Sequence, residues 1–255
     1  MRTTLAFIKK EMTDQLRSGK ITVLGILFVL FGIMNPAVAK LTPWLLETLS
    51  DSMPGGMSVG SIEVSAMDSW VQFFKNMPMA LIAFVLLEGG IFTKEYSSGT
   101  LILSLTKGLD RYKVVISKTA VLTLIWSVGY WLCFVITCAY NEYYWDNSIA
   151  RNLTFSALCW WIFGLWIIAL LVIFSTVSGS ISGVLLGTGG AVFASYLLAI
   201  IPKVNKYLPT LLSDGNSLIY GVSEPKTYIW ALIITLSVSV LCFALAIPAF
   251  NKKQL

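Results

Sequence analysis

The sequence contains no histidine among its 255 residues, and only 12% of the residues are charged. The absence of histidine excludes hydrolases that use a Ser–His pair and metalloproteases that carry an HExxH helix. A GxxxxGK[ST] loop is absent too, so this chain does not bind ATP in the P-loop manner. Soluble proteins have about a quarter of their residues charged. With 56% hydrophobic residues, the chain is therefore predicted to be an integral membrane protein that is not itself an enzyme.

Cysteine is scarce as well, and the four cysteines all lie in apolar runs: Cys133, Cys138, Cys159 and Cys242. That placement argues against a disulfide framework and against a cysteine-based zinc site. We interpret these residues as packing residues. The sequence predicts no catalytic residue, no metal site and no cofactor held by this chain.

The net charge of +5 comes from 18 Lys and Arg against 13 Asp and Glu. Twelve of the 18 cations fall in three segments, residues 1–20, 93–118 and 251–255. Because positive residues concentrate on the cytoplasmic side of membrane proteins, we predict that these segments and both termini are cytoplasmic. Membrane topology explains the excess of cations better than a nucleic-acid surface does, so we expect no nucleic-acid partner.

Six apolar segments can cross a membrane, since a helix rises about 1.5 Å per residue and the hydrocarbon core is about 30 Å thick. We predict an all-α membrane protein with one transmembrane domain over residues 1–255. Its spans are predicted at about 21–39, 77–92, 119–140, 155–177, 184–201 and 227–250. The uncharged run of residues 152–202 is too long for one span, and the Ser- and Gly-rich stretch 175–183 breaks it into two.

Three further segments accompany the spans. In residues 1–20, Leu5, Ile8, Met12 and Leu16 recur at spacings of three and four, which predicts an amphipathic helix along the inner leaflet. A cleaved signal peptide is the alternative, but no cleavage site precedes a soluble domain. Residues 41–76 form a predicted outside segment in which 43–52 is a short helix. Residues 202–226 keep an apolar middle and predict short helices that re-enter the membrane from outside.

Glu88 is the one acidic residue within a predicted span. Ionisable groups inside a membrane are costly and are functional candidates. Lys94 follows six residues later, about 9 Å along a helix, so Glu88 is predicted to lie near the cytoplasmic end of its span. We favour a structural or gating role in which Glu88 pairs with a basic residue, and a proton relay is the alternative.

Gly179, Gly183 and Gly187 recur every four residues around the start of the fifth span. This spacing predicts a face for close helix packing, either within the chain or between two chains.

The charged segment 93–118 between the second and third spans carries the chemistry of a helix start. Gly99 permits a sharp turn and Thr100 can cap exposed N–H groups. The apolar run that follows, residues 101–105, predicts a short helix with an apolar face. A membrane protein does not need such a helix merely to reverse direction, so we expect a cytoplasmic partner to dock there.

Glu95, Gly99-Thr100, the short apolar helix and Arg111 resemble the corresponding loop of the ABC-2 family of transporter permeases, and the layout of spans is similar along all 255 residues. The resemblance implies a coupling helix that docks on an ATPase subunit. The docking residues it implies are Lys94, Glu95, Gly99, Thr100, Leu101, Ile102, Leu105 and Arg111. It also implies that ATP and Mg bind to the partner ATPase and that a second permease chain, identical or related, completes the transporter.

The function implied by this resemblance is that of a permease subunit of an ATP-binding cassette exporter in the bacterial plasma membrane. A permease of this size resembles the branch that exports peptides, bacteriocins and toxins, such as the staphylococcal exporter of phenol-soluble modulins. The substrate would be a peptide, a toxin or another amphipathic molecule. The alternative is an ion-coupled secondary transporter or channel that uses Glu88. Such transporters usually show an internal inverted repeat, and the two halves of this sequence show none.

Overall fold

A computed structural model describes residues 2–52, 63–101, 106 and 110–253. Within these residues every regular element is helical. The α-helices are α1 Arg2–Arg17, α2 Lys20–Ser52, α3 Ala66–Glu88, α4 Thr93–Ser98, α5 Arg111–Tyr144, α6 Leu153–Val177, α7 Ile181–Ala199, α8 Pro202–Asn205, α9 Gly215–Ile219 and α10 Pro225–Lys252. Two short 3₁₀ helices cover Asn147–Ile149 and Pro209–Ser213.

Six of these helices, α2, α3, α5, α6, α7 and α10, are long and apolar enough to cross a membrane. The prediction of an all-α membrane protein with six transmembrane helices is confirmed. Helix α6 lies at the centre of the bundle: 72% of its most apolar 18-residue stretch is buried, against 17% for the corresponding stretch of α7 and 22% for that of α10. Gly164 of α6 lets α5 approach closely, since a Cβ there would stand 2.2 Å from the Trp126 ring. Helices α7 and α10, the least buried of the six, present most of their apolar side chains outward.

The bundle has two ends, which we name by what they carry. The basic end carries α1, the start of α2, α4, the start of α5 and the last residues of α10, which contact one another through ion pairs and hydrogen bonds. The opposite end carries the 3₁₀ helix Asn147–Ile149 and the short helices between α7 and α10. There the Trp70 indole donates a hydrogen bond to Asn147, and the Arg151 amide donates to the Ile219 carbonyl.

The first transmembrane helix is longer than the sequence predicted. Helix α2 runs without interruption from Lys20 to Ser52, and residues 43–52 are its last turns rather than a separate helix. Its 33 residues span about 50 Å, well beyond the hydrocarbon core. The predicted span ended before the charged Lys40, whereas the helix continues past Lys40 and also through Pro36 and Pro43, which lack the N–H that a helix interior needs.

A side chain from another helix compensates for Pro36. In a regular helix the amide of residue 36 would donate to the carbonyl of Gly32. Here the Thr137 hydroxyl of α5 donates to that carbonyl at 3.2 Å. Asn35 donates to Thr137 at 3.1 Å, and Asn76 of α3 donates to Asn35 at 2.7 Å. This chain of hydrogen bonds joins α2, α3 and α5 through buried polar groups and lets α2 continue through Pro36.

The second and third transmembrane helices also begin earlier than predicted. Helix α3 begins at Ala66 because Ser65 and Asp68 form a capping box: the Ser65 hydroxyl accepts from the Met67 amide, and Asp68 accepts from the Ser65 amide. Its first turns carry the buried polar residues Ser69 and Asn76, which conceal the span from a hydropathy pattern. Helix α5 begins at Arg111 rather than near residue 119.

Between α7 and α10 the chain forms short helices, as the sequence indicated. Leu212, Leu218 and Ile219 are fully buried there. The Ser156 hydroxyl of α6 donates to the Gly215 carbonyl at 3.0 Å, and the Tyr228 hydroxyl of α10 donates to the Asp214 carbonyl at 3.1 Å. These contacts fix the segment against the bundle, while its depth in a membrane stays a prediction.

Candidate functional site

The segment predicted to dock a partner begins with a short helix that the sequence did not indicate. Lys94 and Glu95 lie in α4, which ends at Gly99. Gly99 has a φ of 67°, a left-handed conformation that glycine adopts without a steric cost. The Thr100 hydroxyl lies 2.9 Å from that of Ser98, next to this turn. The turn expected at Gly99 therefore exists; it follows α4, and Thr100 and Leu101 directly beyond it are again helical.

Lys118 of α5 is the centre of a group of charged residues that joins three elements. Its ammonium lies 2.7 Å from Glu11 of α1 and 2.9 Å from Glu95 of α4. It also donates to the Ile91 carbonyl at 3.1 Å. Only 1% of the Lys118 side chain is exposed, so its charge is compensated by two carboxylates instead of by water.

Lys10 adds a second cation to this group. Its ammonium lies 2.7 Å from Glu95, 3.0 Å from Glu11 and 3.3 Å from Asp14. Burial by itself lowers the pKa of Lys10, but hydrogen bonds to Glu95 and Glu11 outweigh burial and raise it. Lys10 is therefore charged at physiological pH. We call Lys10, Glu11, Glu95 and Lys118 the charge cluster; it holds α1, α4 and α5 together.

Glu88, the last residue of α3, lies next to the charge cluster and is completely buried. One of its carboxylate oxygens accepts from the Gln15 amide of α1 at 2.6 Å and lies 3.2 Å from the Lys20 ammonium of α2. The other oxygen has no hydrogen-bond partner among the described residues. Glu88 thus joins α1, α2 and α3, and the Lys20 side chain faces it.

Arg111 contacts the end of the last helix. Its guanidinium Nη1 lies 3.0, 3.1 and 2.8 Å from the carbonyl oxygens of Phe250, Asn251 and Lys253. The last carbonyls of a helix lack partners within the helix, and a cation near them is favourable. Arg111 therefore ties the start of α5 to the end of α10.

Tyr96 of α4 brings the end of α6 into the same contact region. Its hydroxyl donates to the Ser175 carbonyl at 3.2 Å, and its ring stacks on Phe250 at 6.2 Å. The Lys253 ammonium lies 4.1 Å from the centre of the Tyr96 ring and donates to the carbonyls of Thr176 and Ser178. We call Tyr96, Arg111, Phe250 and Lys253 the C-terminal clasp; it joins α4, α5, α6 and α10.

A model of the ABC-2 family transporter proteins matches residues 5–255 of this sequence. The chain belongs to the ABC-2 family of transporter proteins. The uncharacterized transmembrane protein YxlG of Bacillus subtilis (strain 168) is similar to it, with 22% identity over 268 aligned positions that include all of this chain and 99% of the relative. Members of the ABC-2 family are membrane components of transporters and are not themselves catalytic.

The ABC-2 docking residues proposed from the sequence differ in how far they are exposed. Glu95 and Arg111 are occupied within the chain, by the charge cluster and by the C-terminal clasp. Leu101 is also buried against the chain, with 1% of its surface exposed. Lys94 and Thr100 are exposed. Ile102 and Leu105 lie outside the described residues.

The three glycines predicted to support packing in this ABC-2 protein lie in different environments. A Cβ on Gly187 would stand 2.4 Å from the Phe174 ring, so Gly187 is where α7 approaches α6. Gly183 faces Ser178 in the preceding turn, and Gly179 precedes the helix with no atom within 4 Å of a Cβ.

The sequence interpretation missed the acidic and amide side chains of α1. Phe7, Glu11 and Gln15 are spaced by four residues and form the buried face of that helix. The signal available in the sequence was Glu11, an acidic residue that lies between the apolar positions of a basic helix.

Among the residues that the structure describes, no group of three His, Cys, Asp or Glu side chains is placed to hold a metal ion.

Proposed function

We propose that this ABC-2 protein is the permease subunit of an exporter driven by a separate ATPase, and that the ATPase docks at the basic end. The observation that carries the proposal is the charge cluster, which holds α4 against α1 and α5. An element held in this way can present a fixed surface to a soluble partner at little cost in ordering. It can also transmit a displacement of α4 to the transmembrane helices.

The orientation of the chain supports a cytoplasmic ATPase. The basic end is built from the three segments that hold twelve of the 18 cations. By the positive-inside rule, this distribution supports an orientation in which the basic end and both termini face the cytoplasm from a bacterial plasma membrane. ATP and Mg would bind to the ATPase, and a second permease chain would complete the pathway.

The substrate proposed is a peptide, a toxin or another amphipathic molecule. What supports this is the resemblance to the peptide and bacteriocin branch together with the lack of charged side chains in the fourth and fifth transmembrane helices. Glu88 is proposed to have a structural or gating role, because its contacts with Gln15 and Lys20 hold α1 and α2 at the end of α3. The rival role of a proton relay has no contact in the described residues that favours it.

The surface proposed to meet the ATPase is narrower than the sequence indicated. It consists of the exposed side chains of Lys94, Ser98 and Thr100 around the turn at Gly99, together with the exposed Thr106 further along the same segment. Glu95 and Arg111 contribute by fixing that surface within the chain. Replacing Leu101 would disturb packing inside the permease as well as docking, so exposed positions make the better test.

The test combines Ser98→Asp with Thr106→Asp and measures co-elution with a candidate partner ATPase, together with ATP hydrolysis by the purified complex. Two new carboxylates at the contact would lose their hydration without gaining a partner of opposite charge. We therefore expect the complex to be lost while the permease elutes as before. Lys203→Glu, at the opposite end, is the control and should leave the complex intact. If the double variant retains the ATPase at normal stoichiometry and activity, the ATPase does not dock at this turn.

A further inference from the structure

Helix α1 presents a face of apolar side chains and one cation to the outside of the bundle. Leu5, Lys9, Met12 and Leu16 are spaced by four, three and four residues, so they lie on one face of the helix. Leu5 is 71% exposed and Leu16 is 55% exposed, and Lys9 is exposed between them. We call these four residues the outer face of α1. The side of α1 that carries Glu11 is held by the charge cluster, so the outer face stays turned outward.

Met12 shows which surface the outer face of α1 adjoins. It is half-buried and lines a shallow groove together with Ile21 and Leu24 of α2 and Leu124 and Val128 of α5. Leu124 and Val128 are 48% and 58% exposed, and they belong to a helix long and apolar enough to cross a membrane. The outer face of α1 therefore continues the apolar outer surface of α2 and α5. A bilayer that surrounds those helices reaches this face too, whereas a soluble partner at the basic end does not cover their sides.

Two cations accompany this apolar surface without a partner in the chain. Lys9 and Arg17 are both exposed, and neither side chain forms an ion pair or a hydrogen bond with any residue that the structure describes. The two acidic residues of α1 do not compensate them, because Glu11 and Asp14 lie 3.0 and 3.3 Å from Lys10 instead. Long basic side chains at a membrane surface lay their stems along apolar surface and place their charge among the headgroups.

We propose that the outer face of α1 binds anionic phospholipids, with its leucines inserted below the headgroups and with Lys9 and Arg17 in contact with the negative headgroups. The two cations are eight residues apart, about 12 Å along the helix, so each contacts a separate lipid. A zwitterionic headgroup carries a positive charge of its own, whereas an anionic headgroup offers net attraction to both side chains. The site needs no ATPase and no particular orientation of the chain, so its test is independent of the function proposed above.

The exposed cations at the two ends of the bundle offer matched variants. Lys9→Gln with Arg17→Gln removes both charges from α1. Lys203→Gln with Lys206→Gln removes the same number of charges from two exposed residues at the opposite end and is the control. Lys9→Arg with Arg17→Lys keeps the charge and should behave like the unaltered chain. Lys9→Gln alone is the milder variant should the double variant fail to elute as a folded protein.

The experiment places the full chain in nanodiscs of phosphatidylcholine with a minor fraction of phosphatidylglycerol. Two preparations contain equal amounts of a lipid with a diazirine close to its ester group, on phosphatidylglycerol in one and on phosphatidylcholine in the other. After irradiation, mass spectrometry measures the adducts on α1. We expect the phosphatidylglycerol probe to give about fivefold more adducts for each cation, the ratio that corresponds to about 1 kcal/mol.

The variants determine whether the two cations cause this preference. Lys9→Gln with Arg17→Gln should bring the ratio of the two probes close to one, and the control pair at the opposite end should leave it unchanged. High salt should also lower the ratio, because salt screens exposed charges. Equal labelling of α1 by the two probes in the unaltered chain, or a ratio that the double variant does not lower, would overturn the proposal.

The two leucines test insertion separately from charge. Leu5→Ser with Leu16→Ser should reduce the adducts on α1 from both probes, because less apolar surface is left to insert among the lipids. Neither side chain is buried, so this variant should elute like the unaltered chain. Absence of adducts on α1 in the unaltered chain, while the exposed faces of α2 and α10 are labelled, would mean that a soluble partner or a second copy covers this face. That result would also overturn the proposal.

Discussion

Lys118 illustrates how much of this protein depends on one buried cation. It is the ion-pair partner of both Glu11 and Glu95, and almost none of it reaches solvent. Removing one member of a buried ion pair leaves the other charges without compensation, which is more harmful than never having buried them. The residue therefore determines whether α1 and α4 can stay on the bundle.

We expect Lys118→Met to lower the free energy of unfolding by about 3 to 5 kcal/mol, because Glu11 and Glu95 lose their buried counter-ion and keep only the partly exposed Lys10. Thermal unfolding in detergent, followed by tryptophan fluorescence, measures the change. Lys113→Met on the same helix is the control: its ion pair with Asp110 is partly exposed, so the melting temperature should hardly move. Equal melting of the two variants would mean that the charge cluster does not stabilise the fold. Adding Glu11→Gln and Glu95→Gln to Lys118→Met should recover part of the loss.

At the scale of elements, the continuous helix α2 depends on a neighbour. Its path through Pro36 relies on the Thr137 hydroxyl, which donates to the Gly32 carbonyl. In lipid no water replaces such a bond, so an unpaired carbonyl there is costly. Helices α2 and α5 are therefore coupled at one of the two prolines that deprive α2 of an internal hydrogen bond.

A double-mutant cycle tests this coupling. Thr137→Val should destabilise the chain, because the Gly32 carbonyl and the Asn35 amide both lose a partner. In a Pro36→Ala background the new N–H serves Gly32, so the same change should cost about 1 kcal/mol less. Unfolding in detergent again provides the measurement. Strict additivity of the two substitutions would show that Thr137 does not compensate for Pro36.

The amphipathic helix α1 is also more than the sequence suggested. Leu5 and Leu16 are exposed and remain available to the lipid of an inner leaflet. The buried face, however, carries Glu11 and Gln15, and these side chains reach Lys118 and Glu88. The helix therefore belongs to the bundle as well as to the predicted membrane surface.

At the scale of the whole molecule, the proposed orientation has a direct test in a background where the four cysteines are replaced. Tyr143 and Val222, each 81% exposed at the opposite end, are suitable positions for single cysteines. We expect both to react in intact cells with a thiol reagent that does not cross the membrane, and a cysteine at Ser98 in the basic end to react only after the cells are opened. Labelling of Ser98→Cys in intact cells would reverse the orientation or change the number of spans.

The sequence by itself determined the class of the protein and the existence of its six transmembrane helices, because long uncharged apolar runs have few other stable outcomes. It also located the turn at Gly99, since a left-handed conformation there favours glycine. The boundaries of the helices were harder to predict: buried polar residues such as Asn76 obscured the start of α3, and Lys40 suggested an end to α2 where the helix in fact continues.

Only the tertiary structure decided the partners of the charged side chains. Lys118 and Glu11 are 107 residues apart, and Arg111 and Phe250 are 139 apart, so no local pattern reveals their contact. Charge in a sequence identifies residues that need compensation when they are buried, and the packing of the helices determines which residue supplies it. For that reason the sequence did not reveal that Glu95 and Arg111, which it suggested as contacts for a partner, have partners within the chain and hold its basic end together.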